Sequence, residues 1–251
     1  MLLLRLDFIS TPYNITAAKL LDKLGCKVFK TASADIVDLE MHAYLAQRNK
    51  KVIISTGMST LNEIDDCIRI YKKYKNKKFI LLHCVSSYPC TLKSINLKSL
   101  RLIKNRYKCL VGYSDHSIGN TSSLVSVVLG ACIIEKHFTI NKNLPGPDHK
   151  TSVLPKEFLS LVNEISMTKI ILGNEVKQCQ KEEIEMKKVS RKSLTMIKTL
   201  RKDEKLTKKF LALKRPGTGL PYKEINKIIG SKAKYNLYTD KQISLNDFYN
   251  K

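Results

Sequence analysis

The stretch CLVGYSDHSIGN, residues 109–120, decides the fold class, because a short apolar run stops there at polar residues that include His116. A second stretch, CIIEKHFT at residues 132–139, has the same form and stops at a Glu-Lys-His triplet that ends in His137. Short runs rich in β-branched and aromatic residues are typical of buried strands. Both stretches therefore predict strands that carry polar side chains at their carboxyl ends.

Runs of this kind recur along the first two thirds of the chain, and each is followed by a helical pattern. They are LDFIST (6–11), KVFKTA (27–32), KVIIST (51–56), KFILLHC (78–84), CLVGYS (109–114) and CIIEKHF (132–138). Strands that alternate with helices favour a parallel sheet. Polar residues at every strand end favour a (β/α)8 TIM-type barrel, with a doubly wound sheet as the alternative. A closed barrel needs eight strands, so six βα units predict an incomplete barrel in this chain.

The alternation stops after Gly173, and this change divides the chain. We predict a partial TIM-barrel domain over residues 1–173, a charged linker over 174–190 and a small mixed domain over 191–251. The last segment has short apolar pieces that are interrupted by the turn sequence RPGTG. A domain of that size has a small core and often needs a docking partner.

Composition narrows the class of protein. The chain has 251 residues, 43% of them hydrophobic, as in a globular protein, and no apolar run long enough for a membrane helix or a signal peptide. We therefore expect a cytoplasmic protein without a membrane partner. The seven cysteines form no C-x-x-C pair, which predicts reduced, mostly buried thiols. The net charge of +23 comes mainly from lysine-rich faces without interleaved aromatic residues, so we expect no nucleic-acid partner.

Several motifs together carry a family resemblance. They are FISTPYN (8–14), FKTASADIVD (29–38), IISTGMST (53–60), LLHCVSSYP (81–89), GYSDHSIG (112–119), EKHFT (135–139) and PGPDHKTSVLPKEFLSLV (145–162). In this order they resemble the sialic acid synthase family, which comprises N-acetylneuraminate, legionaminate and pseudaminate synthases. SRKSL and RPGTGL resemble the C-terminal antifreeze-like (SAF) domain of that family. The family has a further segment before FISTPYN, with the first barrel strands and a catalytic glutamate, and that segment has no counterpart here.

The resemblance implies a reaction. Phosphoenolpyruvate condenses with an N-acyl aminosugar of the N-acetylmannosamine type to give a nine-carbon sialic-type acid and phosphate. The alternative is that this chain is a truncated, inactive remnant or one half of a split-gene synthase. An encoded segment immediately upstream would favour the split enzyme over the remnant.

Two histidines at successive strand ends predict a metal site. Each one alone is as well explained as a core or surface histidine. Together, His116 and His137 are expected to bind one divalent cation and to leave open positions for substrate oxygens. The resemblance implies Mn²⁺ or Mg²⁺, and imidazole ligands favour the former.

The resemblance also assigns substrate-binding and catalytic residues. The residues expected to bind phosphoenolpyruvate are Lys30, Ser33, Ser55, Ser86 and Ser114, and those expected near the sugar are Thr11, Tyr13 and Tyr88. Glu135 and Asp148 are the expected catalytic carboxylates, although Asp148 also suits a loop cap. Cys84 is interpreted as a packing residue. Arg215 resembles an arginine that reaches the partner subunit's active site, which implies a domain-exchanged homodimer; a simple turn arginine is the alternative.

Overall fold

The computed structural model describes residues 6–249 and divides into two compact units, Met1–Asn174 and Glu175–Lys251. The strands of the first unit are β1 Val28–Thr31, β2 Lys51–Ser55, β3 Phe79–Cys84, β4 Leu110–Asp115 and β5 Ile134–Lys136. Its helices are α1 Ile15–Lys23, α2 Leu39–Gln47, α3 Leu61–Lys73, α4 Leu92–Ile95, α5 Lys98–Tyr107, α6 Thr121–Val128 and α7 Pro155–Leu172.

The five strands form one parallel sheet in the order of the chain, β1-β2-β3-β4-β5. The predicted parallel α/β architecture is therefore present. The prediction of six strands was wrong for the first run: residues 6–11 contribute a single parallel bridge, between Ser10 and Phe29, within the described part of the chain. Phe8 is 56% and Ile9 42% exposed, so little apolar burial stabilises a ladder at this edge.

The two faces of the sheet differ because side chains alternate along each strand. The outer face packs on the helices and forms the main core. That core contains Phe29, Val52, Ile54, Leu81 and Val111 from the strands and Met41, Leu45, Ile64, Ile68, Leu100 and Ile103 from the helices. The inner face carries buried Ile53 and Leu82 and then, towards the strand ends, the polar residues predicted for the site.

The sheet is strongly curved. Lys30 of β1 and Glu135 of β5 lie on its two outermost strands, yet Nζ and Oε1 are only 3.3 Å apart. In a flat sheet, strand spacings of about 4.8 Å would separate these strands by about 19 Å, more than the two side chains span. The inner face is therefore concave, as in the wall of a barrel.

Local signals position the helices that hold this wall. Asn14 accepts a hydrogen bond from the Ala17 amide at the start of α1, and Thr60 forms a capping box with Glu63 at the start of α3. Gly130 follows α6 with φ +96°, a conformation that favours glycine. All three residues are of the types that favour these helix-end positions.

The second unit has its own core. It contains helices α8 Ile184–Ser190 and α9 Ile225–Ile228 and the antiparallel strands β6 Ser193–Met196 and β7 Leu211–Lys214. Its buried apolar side chains are Leu194, Met196, Leu200, Leu206, Phe210, Leu220, Ile225, Ile228, Ala233, Leu237, Ile243 and Phe248. A hydrophobic cluster of this size around a two-stranded sheet lets this short segment form a compact unit.

The structure also bears on the predictions about the cysteines and about membrane helices. All seven cysteines are unpaired, and four of them are buried. Among the helices of residues 6–249, none combines the length and apolarity that crossing a bilayer requires.

Candidate active site

The side chains predicted for the site converge at the carboxyl ends of the strands, on the concave face. The strand pairing places Lys30 beside Ile53, Ser55 beside Leu82, Cys84 beside Ser114, and Ser114 beside Glu135. The period of two along each strand then puts His116 and His137 on that same inner face. The triplets Ser-Asp-His and Glu-Lys-His thus each contribute two inward side chains and one outward side chain.

His116 and His137 meet, as the sequence predicted. Their ring centroids are 5.2 Å apart and the rings are nearly perpendicular, at 87°. His116 is buried, and its Nδ1 lies 2.8 Å from the Val85 carbonyl oxygen, so this nitrogen carries the proton and donates it. In the neutral ring the lone pair is then on Nε2, and the Ser114 hydroxyl lies 3.4 Å from this nitrogen.

His137 and Tyr88 complete this end of the site. The Asp148 carboxylate lies 3.6 Å from His137 Nδ1, which is too long for a hydrogen bond. The Tyr88 ring packs over both imidazoles, with centroids 4.2 Å from His116 and 5.2 Å from His137. Burial and then the neighbouring His116 lower the pKa of His137, which favours its neutral, metal-binding form.

The two imidazoles fit the predicted divalent cation. A hydrogen bond to the Nδ1 proton is the usual support of a metal-ligating histidine, because it fixes the tautomer and the ring orientation. His116 has such a support in Val85, and Asp148 lies next to the same ring nitrogen of His137, at the longer distance of 3.6 Å. No group of three or more His, Cys, Asp or Glu side chains in residues 6–249 is arranged for a metal. A cation here would therefore take its remaining ligands from water or substrate.

A compact nest of hydroxyl groups lies next to His116. The Gly57 amide donates to Ser33 Oγ at 3.0 Å, Ser33 Oγ lies 3.5 Å from Cys84 Sγ, and Ser86 Oγ lies 3.9 Å from the same sulfur. A methyl group at Gly57 would come within 2.9 Å of Ser86 Oγ, Ser33 Oγ and Cys84 Sγ, so these side chains would have to shift to admit it. Ser55 Oγ is buried without a protein partner. Amide and hydroxyl donors in this arrangement suit an anion.

The structure revises the role predicted for Cys84. Its thiol does not pack in an apolar core but contacts Ser33, Ser86 and, at 3.9 Å, His116 Nδ1. Burial opposes ionisation of this thiol, but the contacts with His116 and Ser33 outweigh burial and hold its pKa below the ordinary value. Cys84 is therefore part of the polar wall of the site.

Two carboxyl groups lie near Lys30. Glu135 pairs with Lys30 at 3.3 Å, and both side chains are partly exposed. Asp35, in the 3-10 helix Ser33–Val37 that follows β1, has a buried Oδ2 without a protein partner. Burial and then the neighbouring Asp38 raise the pKa of Asp35. A carboxyl group that retains its proton more readily than usual suits proton transfer.

Asp115 lies between Ser114 and His116 in the sequence but apart from the site. Its side chain points to the outer face and is fully buried there. It pairs with Lys136 at 2.9 Å and accepts hydrogen bonds from Ser122 and Ser123 at the start of α6. The reason is the strand pleat: one residue separates Asp115 from His116, so the two side chains leave the sheet on opposite faces.

The remaining predicted residues lie at the periphery or in the second unit. Thr11 is half-buried, and Tyr13 is 71% exposed but close enough to Tyr88 to influence the pKa of that phenol. Arg215 lies directly after β7 in the second unit and is exposed. For Arg215, delivery to a partner's site stays a prediction.

The sequence did not assign a role in or behind the site to four residues: Asp35, Gly57, Cys84 and Lys136. The signal for Lys136 was present, since a lysine between a glutamate and a histidine at the end of a buried strand needs a buried partner. The signal for Gly57 was its position directly after a strand end, where close backbone approach is common. Asp35 gave no local signal, because its burial depends on the loops around it.

Comparison with known proteins agrees with this geometry. The model of the NeuB family matches residues 4–177, which is more than half of the chain. This chain belongs to the NeuB family. The predicted membership of the sialic acid synthase family is thereby confirmed.

Relatives of this NeuB-family chain include the N,N'-diacetyllegionaminic acid synthase of Campylobacter jejuni, which is 39% identical over 238 residues, 94% of this chain and 71% of that protein. The pseudaminic acid synthase of Helicobacter pylori is 34% identical over 244 residues, 97% and 72% of the two chains. The crystal structure of N-acetylneuraminic acid synthetase from Leptospira borgpetersenii is 38% identical, with a TM-score of 0.68 over 72% of this chain and 63% of that one. The chain thus spans about two thirds of the length of these relatives.

Proposed function

We propose that this chain catalyses the condensation of phosphoenolpyruvate with an N-acyl aminosugar, which gives a nine-carbon sialic-type acid and inorganic phosphate. The observation that carries the proposal is the convergence of Lys30, the hydroxyl nest and the paired imidazoles of His116 and His137 on one concave strand-end surface. The nest and lysine suit a small anion, and the imidazoles suit a cation that binds an aldehyde oxygen. Relatives named as nonulosonic acid synthases support the assignment.

Phosphoenolpyruvate would bind on the Lys30 side. Its phosphate and carboxylate need cationic and hydroxyl donors, and these are offered by Lys30, Ser33, Ser55, Ser86 and Ser114. Ser55 supports this placement best, because its buried Oγ lacks a protein partner and a ligand oxygen would satisfy it. Anion binding would also compete with Glu135 for Lys30 and would free that carboxylate to face the sugar.

The sugar would bind beside the two histidines, next to the exposed aromatic residues Tyr13 and Tyr88. A divalent cation, Mn²⁺ or Mg²⁺, would polarise the aldehyde when held by His116 and His137. The new bond joins the methylene carbon of phosphoenolpyruvate to the aldehyde carbon. Water adds to the adjacent carbon, and cleavage of its bond to the phosphate oxygen releases inorganic phosphate. We assign proton transfer in these steps to Asp35, Glu135 and Asp148.

The second unit is proposed to act as an antifreeze-like (SAF) domain. In this proposal Arg215 holds the N-acyl oxygen of the sugar in the partner subunit of a domain-exchanged homodimer, since the N–H groups of a guanidinium can donate to one carbonyl oxygen. A second candidate also has a specific observation behind it. The described sheet has five strands where a closed barrel has eight, which favours a chain that supplies part of a split synthase.

The test is phosphate release from phosphoenolpyruvate with Mn²⁺, in separate reactions with N-acetylmannosamine and with a 2,4-diacetamido hexose. We expect sugar-dependent phosphate release and an equimolar nine-carbon acid by mass spectrometry. A reaction without sugar is the control. Turnover only after addition of a complementing barrel segment would favour the split synthase. Failure with both sugars in the complemented protein would overturn the proposed function.

A further inference from the structure

Asp115 and Lys136 form a buried ion pair directly behind the two histidines. Their side chains are 0% and 2% exposed, and Asp115 Oδ2 lies 2.9 Å from Lys136 Nζ. The pairing of β4 with β5 places the two residues opposite each other, and a histidine follows each of them in the chain. The ion pair therefore lies on the outer face of the same two strands whose inner face presents the imidazoles.

The ion pair has a complete set of hydrogen bonds. Asp115 accepts from six groups: the Ser117 amide at 2.8 Å, Ser117 Oγ at 2.7 Å, Tyr113 Oη at 3.3 Å, Ser122 Oγ at 2.8 Å, Ser123 Oγ at 2.6 Å and Lys136 Nζ at 2.9 Å. Lys136 also donates to the carbonyl oxygens of Ser117 at 2.8 Å and Gly119 at 3.0 Å. These contacts join β5, the end of β4, the loop after it and the start of α6 into one network.

Stability alone does not account for such a pair. A buried ion pair gains little over well-packed apolar side chains of similar volume, because removing both charges from water is costly. A fully hydrogen-bonded pair does restrict geometry. If β5 slipped by one residue, Lys136 would leave Asp115, and His137 would move to the outer face of the sheet.

We propose that Asp115 and Lys136 are positioning residues that lock the register of β4 and β5, so that His116 and His137 face each other on the inner side. The metal-binding consequence of this lock rests on the proposed function. The ring geometry does not, because it concerns only the 5.2 Å centroid distance between two side chains of this chain.

The experiment compares two charge-free double variants of the full chain. Asp115→Leu/Lys136→Met removes the lock, and Asp22→Leu/Lys50→Met removes another ion pair that involves α1, remote from the histidines in the fold. The first measurement is the NOE between the ring protons of His116 and His137 in the metal-free protein. The second is Mn²⁺ affinity by electron paramagnetic resonance, and the urea midpoint reports folding.

The lock variant should lose the ring–ring NOE and bind Mn²⁺ at least about tenfold more weakly, as the loss of an outer support of a metal ligand does. The control should keep the NOE and the wild-type affinity. A folded lock variant that keeps both would overturn the inference. Should it fail to fold, Asp115→Asn/Lys136→Gln carries the same comparison, since it removes both charges and keeps polar side chains of similar size. If the wild type binds no Mn²⁺, the proposed metal site fails and the NOE alone decides the lock.

Discussion

Lys30 lies on β1 and faces the concave side of the sheet, where the structure pairs it with Glu135 at 3.3 Å. We expect Lys30→Ala to raise the apparent KM for phosphoenolpyruvate by about 10- to 100-fold, because a hydrogen bond to a charged group is worth about 1.5–3 kcal/mol. The KM for the sugar should change much less. Steady-state kinetics with each substrate varied in turn measures the difference.

Lys51→Ala is a matched control for Lys30→Ala. Lys51 begins β2, at the end of the sheet away from the site, and its side chain is exposed. The substitution removes the same charge from the protein but not from the site. If Lys30→Ala raised both KM values equally, Lys30 would have a structural role and would not bind phosphoenolpyruvate specifically.

The two imidazoles give a second prediction for individual residues. His116→Ala and His137→Ala should each weaken Mn²⁺ binding at least about 10- to 100-fold, since even the outer partners of metal ligands contribute that much. Isothermal titration calorimetry measures the affinity. Activity should fall in both variants.

His83→Gln is the control for these substitutions. His83 also lies at a strand end, but it points to the outer face, where Nε2 contacts the Ile95 carbonyl oxygen at 2.6 Å. Its loss should leave Mn²⁺ affinity unchanged. If both alanine variants bound Mn²⁺ with wild-type affinity, the two histidines would not be metal ligands.

Among the helices, α2 contains a buried histidine that links stability to pH. His42 is 0% exposed, contacts the Tyr71 hydroxyl at 3.1 Å, and has its pKa lowered to about 4, mainly by burial. Between pH 6.5 and 4 the unfolded chain binds a proton that the folded chain does not, so stability falls as the pH falls. This linkage predicts a loss of about 2 kcal/mol between pH 7.5 and pH 5.

Urea unfolding at these two pH values measures the loss. Carboxylates also titrate in this range, so the informative quantity is the difference between the wild type and His42→Gln, which retains hydrogen-bonding capacity but cannot take up the proton. His42→Gln should lose about 2 kcal/mol less on acidification. The same pH dependence in both proteins would show that His42 is not the responsible group.

The whole molecule raises the question of barrel closure. In the described part of the chain, β1 has only the Ser10 bridge on its outer edge, and β5 is paired through β4 alone in the main sheet. Unpaired strand edges promote association between chains. We therefore expect the 251-residue chain on its own to self-associate and to turn over slowly.

Fusion of the amino-terminal barrel segment of a family relative should raise both the monodisperse fraction in size-exclusion chromatography and phosphoenolpyruvate-dependent turnover. An unrelated segment of equal length is the control. A chain that folds cooperatively, does not aggregate and has full turnover before fusion would contradict this expectation. It would also show that the strand count taken from the sequence and from the sheet is too low.

Much of the fold follows from local sequence. Five of the six predicted strands form, because short β-branched runs between helical patterns have few other ways to bury their side chains. The caps Asn14 and Thr60 and the stop at Gly130 act within a few residues, so their effect was also predictable. The first predicted run, residues 6–11, forms only one bridge. A strand at this position depends on packing against other parts of the fold, which its own sequence does not determine.

By itself, the sequence determined which side chains reach the site, since the pleat sends the first and third residues of Ser-Asp-His and Glu-Lys-His to one face and the middle residue to the other. Only the tertiary structure decided what those side chains meet. Sheet curvature brings Lys30 to Glu135, the glycine at position 57 admits the hydroxyl nest, and burial gives Asp35 its raised pKa. These properties arise from contacts between residues far apart in the chain, and no local pattern encodes such distances.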